Sequence, residues 1–324
     1  MALNGLKIVF GGGSFFALSV EEVSQWLGIL EELDIKTIDT AEIYGASEEL
    51  LGKTGAAKRF TIDTKQPGGF GPLPATRDQV IKSGQASLQK LQTDAVDVYY
   101  LHAPDRRVPW KETLSGLNEL HKQGAFKRLG LSNFTGQEVE EIVQVAKENN
   151  FVVPSVYQGN YNAVARRVEQ EILPILRKHN IAFYAYSPIA GGFLSKTKAQ
   201  LTDPNSRFGR DDGVGKLYNA LYNRPSFVAA LDTWEQTARD EGVSRAELAY
   251  RWVFYHSKLQ SGFGDAVIVG ASKQQQLRET VEAIKRGPLS DAAVKRIEEL
   301  WESIKADAPL DNFEVTTQMG GLGK

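Results

Sequence analysis

Short runs rich in β-branched and aromatic residues alternate with helical patterns along this chain, and that alternation limits the folds open to it. The runs cover residues 7–11, 36–39, 60–64, 96–101, 128–131, 155–158, 182–186 and 266–269. Between them, residues 20–33, 77–91, 111–122, 136–149, 168–178, 227–241 and 274–286 read as amphipathic helices. In the first of these, Val23, Trp26, Leu27 and Leu30 recur at the spacing of one helix face. Strands separated by helices pair in parallel. Eight such units close into a (β/α)8 barrel, the TIM-barrel architecture, rather than an open doubly wound sheet. The expectation is one α/β domain over residues 1–324. A polar, glycine-containing stretch at 191–223 reads as a long loop after the seventh strand. Two helices, the second at 245–255, precede the eighth strand, and an extra C-terminal helix at 290–303 follows it. The tail 308–324, with Gly320, Gly321 and Gly323, has no periodicity.

A barrel of parallel strands gathers their C-terminal ends on one face, where active sites are built. Asp39 ends the second run, with Tyr44 one short loop later. Lys65 ends the third and His102 the fourth. Singly, each has a structural explanation: a strand-end Lys is usually an ion-pair partner, and a rim Tyr is usually packing. Together they suit the delivery of a proton to a carbonyl oxygen while hydride reaches the carbon. A phenol has an ordinary pKa of about 10. A neighbouring ammonium favours its phenolate and lowers that value. In this reading Asp39 holds Lys65, Lys65 tunes Tyr44, and His102 orients the carbonyl. Tyr44 is the general acid in reduction, or the base in the reverse direction.

Other chemistries find little in the chain. The formal charge is −2 and there is no basic arm, which argues against nucleic acid as a partner. Cysteine is absent, so disulfides, thiolate catalysis and thiolate-bound metals are excluded. His102, His121, His179 and His256 are scattered, and no metal site is expected. The start of the chain has no long apolar signal region and no run long enough to span a bilayer, so a cytoplasmic location without membrane contact is expected. The Asn133-Phe134-Thr135 sequon then has no glycosylation to receive. Gly11-Gly12-Gly13-Ser14 lacks the spacing of a dinucleotide fingerprint and reads as a rim turn. Gly52-Lys53-Thr54 lacks the upstream glycine of a phosphate loop and reads as a helix end.

Over nearly its whole length the chain resembles the aldo-keto reductase superfamily, closest to its aflatoxin-aldehyde reductase branch. The resemblance is carried, in order, by Asp39-Thr40-Ala41 with Tyr44-Gly45, by Thr64-Lys65, and by Tyr99-Tyr100-Leu101-His102-Ala103-Pro104-Asp105. Leu131-Ser132-Asn133-Phe134, Val156-Tyr157-Gln158-Gly159-Asn160-Tyr161-Asn162, Tyr186-Ser187-Pro188-Ile189-Ala190-Gly191-Gly192 and Gly264-Asp265-Ala266-Val267-Ile268-Val269-Gly270 continue it. It implies a barrel that uses NADPH without a Rossmann fold, and a small-molecule carbonyl substrate reduced to an alcohol. The chain would act as a monomer or homodimer. Carried over by position, Ser132, Asn133 and Gln158 would bind the nicotinamide carboxamide, and Tyr186 would stack on its ring. Ser187, Pro188, Ile189, Gly191 and Leu194 would wrap the pyrophosphate. Gly270, Ser272, Gln276 and Glu279 would meet the adenosine end, at a helix start that favours an anion.

Many relatives carry Lys and Arg where this chain has Gly270 and Gln276, a loss shared by the resembling branch. The cation for the 2′-phosphate is then one of Lys273, Arg207, Lys196 or Lys198. That branch also carries an Arg-rich segment in the long loop and a basic terminus. Here the loop reads Lys216-Leu217-Tyr218-Asn219-Ala220-Leu221-Tyr222 and the tail Asp311-Asn312-Phe313-Glu314. A carboxylate on the substrate would lack its bidentate partner, so a neutral carbonyl compound is expected. Arg224 is the nearest cation that could overturn this. Phe16, Tyr44, Trp110 and Tyr218 give the mouth an aromatic cast. Two other functions stay open at this level: a Schiff-base aldolase using Lys65, and a slow-turnover, cofactor-binding regulatory subunit of the same superfamily.

Overall fold

The computed structural model describes residues 2–203 and 206–320, so Gly321 and Gly323 of the tail lie outside it. Two short strands, β1 (Ala2–Leu3) and β2 (Leu6–Gly11), form an antiparallel hairpin. They are followed by β3 (Thr37–Asp39), β4 (Thr61–Gln66), β5 (Val96–Leu101), β6 (Phe126–Ser132), β7 (Pro154–Asn160), β8 (Ala182–Tyr186) and β9 (Ala266–Val269). From β2 to β9 each strand pairs in parallel with the next. β9 returns to β2, with Lys7 opposite Ala266 and Phe10 opposite Val269. The result is a closed eight-stranded parallel barrel with helices around it, as the alternation predicts.

All eight expected runs are strands. β4 reaches two residues past Thr64 and so takes Lys65 into the sheet. The β1 hairpin was not foreseen, although Asn4-Gly5 is a strong two-residue turn signal: both have positive φ, 51° and 74°. Helices begin where caps allow. Ser19 and Glu22 form a capping box before Val20–Glu32, and Thr135 and Glu138 another before Gly136–Glu148. The single helix expected at 168–178 is two, Val168–Glu171 and Leu173–Lys178. Pro174 lacks an N–H and fits only in the first turn of the second.

Two further expectations need correction. The stretch 191–223 is not an irregular loop. It folds into short 3₁₀ turns and a helix, Gly213–Tyr222, whose Asp212 cap accepts from the Gly215 N–H at 2.8 Å. Leu217, Leu221 and Tyr222 of that helix are buried. The tail also contains a helix, Asn312–Gln318, capped by Asp311. The tail helix is too short to show helical periodicity, and Gly213 and Gly215 mask that of the insert helix.

The core has two layers. Val9, Val98, Tyr100, Val156, Tyr184 and Ile268 fill the barrel, and a larger apolar shell joins the sheet to its helices. Among the described residues no helix is long and apolar enough to cross a membrane.

Candidate active site

The four expected residues meet at the C-terminal mouth because parallel register sets their heights. Asp39 is the last residue of β3, Lys65 the penultimate residue of β4, and His102 directly follows β5. The loop leaving β3 brings Tyr44 back over them. Lys65 is fully buried. Its Nζ donates to Asp39 Oδ2 at 2.6 Å and to the Thr40 carbonyl at 2.7 Å. The same Nζ lies 5.2 Å from the centre of the Tyr44 ring and 5.6 Å from that of Tyr100. His102 meets Tyr44 edge to face, with ring centres 5.6 Å apart. Tyr44 packs on Gly13, where a Cβ would sit 3.6 Å from its ring.

The electrostatics differ from the simplest expectation in one respect. Lys65 does not set the balance at Tyr44. Burial pushes the phenol well above its ordinary value, and the charge of Asp39 adds to that. The reason is geometric: Asp39, at 2.6 Å, offsets part of the pull that the ammonium exerts on the phenolate. Tyr44 is therefore protonated, the form a proton donor requires. Burial, helped by the charge of Lys65, holds the His102 imidazole well below its usual range, so it is neutral. Its Nδ1 is buried and has no hydrogen-bond partner among the described residues.

The residues assigned to the nicotinamide end gather beside these four and are tied to one another. Gln158 Nε2 donates to Asp39 Oδ1 at 2.8 Å, so Asp39 is gripped from both sides. Asn133, at positive φ of 63°, donates to the His102 carbonyl at 2.8 Å and to Ser132 Oγ at 3.0 Å. Its Oδ1 accepts from the Tyr186 hydroxyl at 2.7 Å, and that hydroxyl accepts from the Asn312 N–H at 3.2 Å.

The next segment bends sharply. Ser187, Gly191 and Gly192 have φ of 54°, 65° and 103°. Pro188 and Ile189 lie between them. The helix Gly213–Tyr222 folds back onto this bend, with Tyr218 Oη 3.3 Å from Ser187 Oγ. A Cβ on Gly191 would come within 1.9 Å of the Tyr218 ring, whereas one on Gly192 or Gly270 would meet open space. Arg207 locks the arrangement. It donates to the Gly191 carbonyl at 3.1 Å and lies 4.5 Å over the Tyr218 ring.

The remaining assignments are looser. The Leu194 side chain is part of the core, and its carbonyl is taken by Trp234 Nε1 at 2.9 Å, which leaves it no free polar group for a ligand. Lys196 is half-buried and makes no ion pair among the described residues, while Lys198 pairs with Asp232 at 2.5 Å. Gln276 caps its own helix, Gln274–Lys285, by accepting from Ser272 Oγ at 2.9 Å and from the Lys273 N–H at 3.2 Å. Glu279 is exposed on that helix and accepts from Gln275 at 3.0 Å.

Two site residues were missed. Phe70, in the loop after β4, meets His102 edge-on at 5.2 Å, and Phe313 meets Phe70 edge-on at 5.2 Å. They form an aromatic wall beside the imidazole. Phe70 sits in Gly68-Gly69-Phe70-Gly71 directly beyond a barrel strand, a signal that could have found it. The cations nearby have other work. Glu314 pairs with Arg167 at 3.1 Å. Arg106, over the Phe313 ring, binds Glu138 at 2.7 Å. Arg224 donates to the Ala220 and Asp307 carbonyls at 2.9 and 2.5 Å. No group of side chains able to hold a metal ion is found among the described residues.

The chain as a whole is similar to known proteins. A profile of the Aldo/keto reductase family matches residues 7–302. A protein named oxidoreductase sirO, from Leptosphaeria maculans, is 42% identical over 300 residues, covering 92% of this chain and 91% of its own. Human aflatoxin B1 aldehyde reductase member 4 is 38% identical over 286 residues, covering 84% of this chain and 86% of its own. Aldo-keto reductase pigE of Monascus ruber is 31% identical over 304 residues, covering 89% of each chain.

Proposed function

The chain belongs to the aldo/keto reductase family, and on that premise we propose that it reduces a neutral aldehyde or ketone to an alcohol with NADPH, Tyr44 giving the proton. The observation that carries this reading is the protonated, half-buried Tyr44 beside neutral His102 and the Asp39–Lys65 pair.

The residues fit a nicotinamide dinucleotide. Gly192 and Gly270 face open space where any side chain would intrude, and the positive φ at Ser187, Gly191 and Gly192 turns the backbone around it. Ser187, Pro188, Ile189 and Gly191 would hold the pyrophosphate, Tyr186 the nicotinamide ring, and Ser132, Asn133 and Gln158 its carboxamide. Ser272, Gln276, Lys273 and Arg207 would serve the phosphorylated adenosine end. When bound, the cofactor supplies a hydride to the carbonyl carbon.

The protein's own steps follow from its geometry. His102 and Tyr44 converge on the carbonyl oxygen and orient it. The imidazole, neutral because it is buried, donates a hydrogen bond without competing for the proton. Tyr44 Oη then transfers its proton to the oxygen as negative charge develops there. Lys65, fixed by two acceptors, offers its positive charge to the phenolate left behind. Phe70 and Phe313 exclude water from that side. A Schiff-base role for Lys65 has no support, because an ammonium held by Asp39 and the Thr40 carbonyl is not a free amine.

The test is to mix the purified protein with NADPH and a panel of aldehydes and ketones and follow absorbance. Turnover is expected for at least one neutral carbonyl compound. In Tyr44→Phe, kcat should fall by about 10²–10⁴-fold, with NADPH still bound by fluorescence titration. A near-wild-type kcat in that variant would remove Tyr44 from the reaction.

A further inference from the structure

Below the Asp39–Lys65 pair lies a second carboxyl that the proton-transfer step does not use. Asp63 is two residues before Lys65 on β4, so both side chains point into the barrel. It stands opposite Asp39 in the β3–β4 register and is fully buried. Its Oδ1 accepts from the Val98 N–H at 3.2 Å. Its Oδ2 is buried and has no hydrogen-bond partner among the described residues. The hydroxyl of Tyr100, the next inward residue of β5 after Val98, is buried and unpartnered in the same way.

The charged and titratable groups facing Asp63 come from all around the barrel. Lys7 lies on β2, Asp39 on β3, Asp97 and Tyr100 on β5, Arg128 on β6 and Tyr184 on β8. None of the cations is bonded to it. Arg128 donates to Asp97 at 2.7 Å and to Tyr184 Oη at 3.1 Å, and Lys65 is held by Asp39. An ionised Asp63 would be a buried carboxylate with one oxygen unsatisfied, level with a second carboxylate. Burying such a charge without a bonded partner is costly. A proton on Oδ2 removes the charge and with it the repulsion from Asp39.

We propose that Asp63 is a proton-holding positioning residue: its carboxyl stays neutral while the enzyme works, so that Asp39 alone balances Lys65, and its ionisation weakens Tyr44 as an acid. The coupling to Tyr44 rests on the role given to that residue above; the proton on Asp63 does not. Burial first, then the charges of Asp39 and Asp97, push the Asp63 carboxyl up to about 7, against a weaker pull from Lys7 and Arg128. When the proton leaves for solvent, a new negative charge appears beside Asp39. It opposes formation of the Tyr44 phenolate, so reduction slows as pH rises through that range.

Infrared difference spectroscopy of the whole protein tests the proton directly. Wild type minus Asp63→Asn should show a carboxylic-acid C=O stretch in mildly acid solution that fades toward mildly alkaline solution. Tyr100→Phe should shift its frequency, because the hydroxyl neighbour is gone. That arm also serves if Asp63→Asn does not fold. The pH profile of kcat for carbonyl reduction supplies the second readout. Its alkaline limb should move up by about one pH unit or more in Asp63→Asn, the size of shift a neighbouring charge produces. Absence of the C=O band at every pH would overturn the proton-holding role. A band present, with the wild-type pH profile kept in Asp63→Asn, would overturn the coupling to Tyr44. The band needs no turnover, so its absence cannot be confused with failure of Tyr44 as the donor; Tyr44→Phe reports that failure separately and is read before the pH profile is interpreted.

Discussion

The two sides of the barrel mouth are built in different ways. On the β3–β5 side, Asp39 and Lys65 hang from strands and are buried, joined by short bonds that the sheet register dictates. On the β8–β9 side, the backbone bends through positive φ at Ser187, Gly191 and Gly192 and is held from outside by Tyr218 and Arg207. The first side is fixed as soon as the barrel closes. The second depends on an inserted helix returning to it. Proton transfer tolerates little displacement, whereas a dinucleotide must enter and leave. On the function proposed above, the chemistry falls to the strand-borne side and cofactor retention to the insert.

The strongest way to break that contrast is Lys65→Met. It removes the cation from a buried pair and leaves Asp39 uncompensated, which costs about 3–5 kcal/mol of stability. It also removes the charge that receives the Tyr44 phenolate, so kcat should fall by about 10²–10³-fold, the scale of losing one electrostatic stabiliser. The dissociation constant for NADPH should stay near wild type, because Lys65 touches no residue of the β8 bend. Denaturant unfolding, steady-state kinetics and fluorescence titration read the three quantities. A wild-type rate would reduce Lys65 to a structural ion-pair partner.

Gly191→Ala probes the other side. The added methyl would meet the Tyr218 ring at 1.9 Å, at a φ of 65° that disfavours a side chain. Tyr218 must move, and the Arg207 contact with the Gly191 carbonyl goes with it. NADPH affinity should weaken by about tenfold or more, equivalent to about 1.4 kcal/mol. At saturating NADPH, kcat should be largely kept. A collapse of kcat with unchanged affinity would merge the two sides into one unit.

The same contrast explains what was legible in the sequence. Asp39, Lys65 and His102 could be read because a strand end puts a side chain at the mouth whatever else the chain does. The eight runs were legible for the same reason, since period and length mark them. Contacts made by folding back were not. Gln158 reads as a carboxamide ligand, and its bond to Asp39, 119 residues away in sequence, could not be read with it. Asn133 and Tyr186 read as two separate ligands and are bonded to each other. The helix Gly213–Tyr222 begins with Gly213 and Gly215, turn-favouring residues that masked its apolar face, so the insert read as a loop. Phe313 stood in a segment noted only for its missing Arg. The rise in the Tyr44 phenol was hidden because burial, with the charge of Asp39, outweighs the pull of the lysine.

The smallest expected effect concerns the substrate's charge, and it tests whether either side of the mouth supplies a cation. Arg224, the one residue able to reverse the neutral-substrate reading, binds the carbonyls of Ala220 and Asp307 through its guanidinium. Glu314 is drawn off by Arg167. Arg106 is the remaining cation beside the aromatic wall. It lies over Phe313 with its Nε on Glu138 and its side chain 54% exposed. An exposed, already paired guanidinium gives a second carboxylate little, about 0–1 kcal/mol. Desolvating a substrate carboxylate against Phe70 and Phe313 costs more than that returns. The expected outcome is a kcat/KM for a neutral aldehyde several-fold above that for an acidic aldehyde of similar size. Arg224→Ala should leave the ratio unchanged. Arg106→Ala should leave it unchanged or raise it slightly. A preference for the acidic compound that disappears in Arg224→Ala would mean that the guanidinium leaves the two carbonyls for the pocket. The insert would then choose substrate as well as hold cofactor.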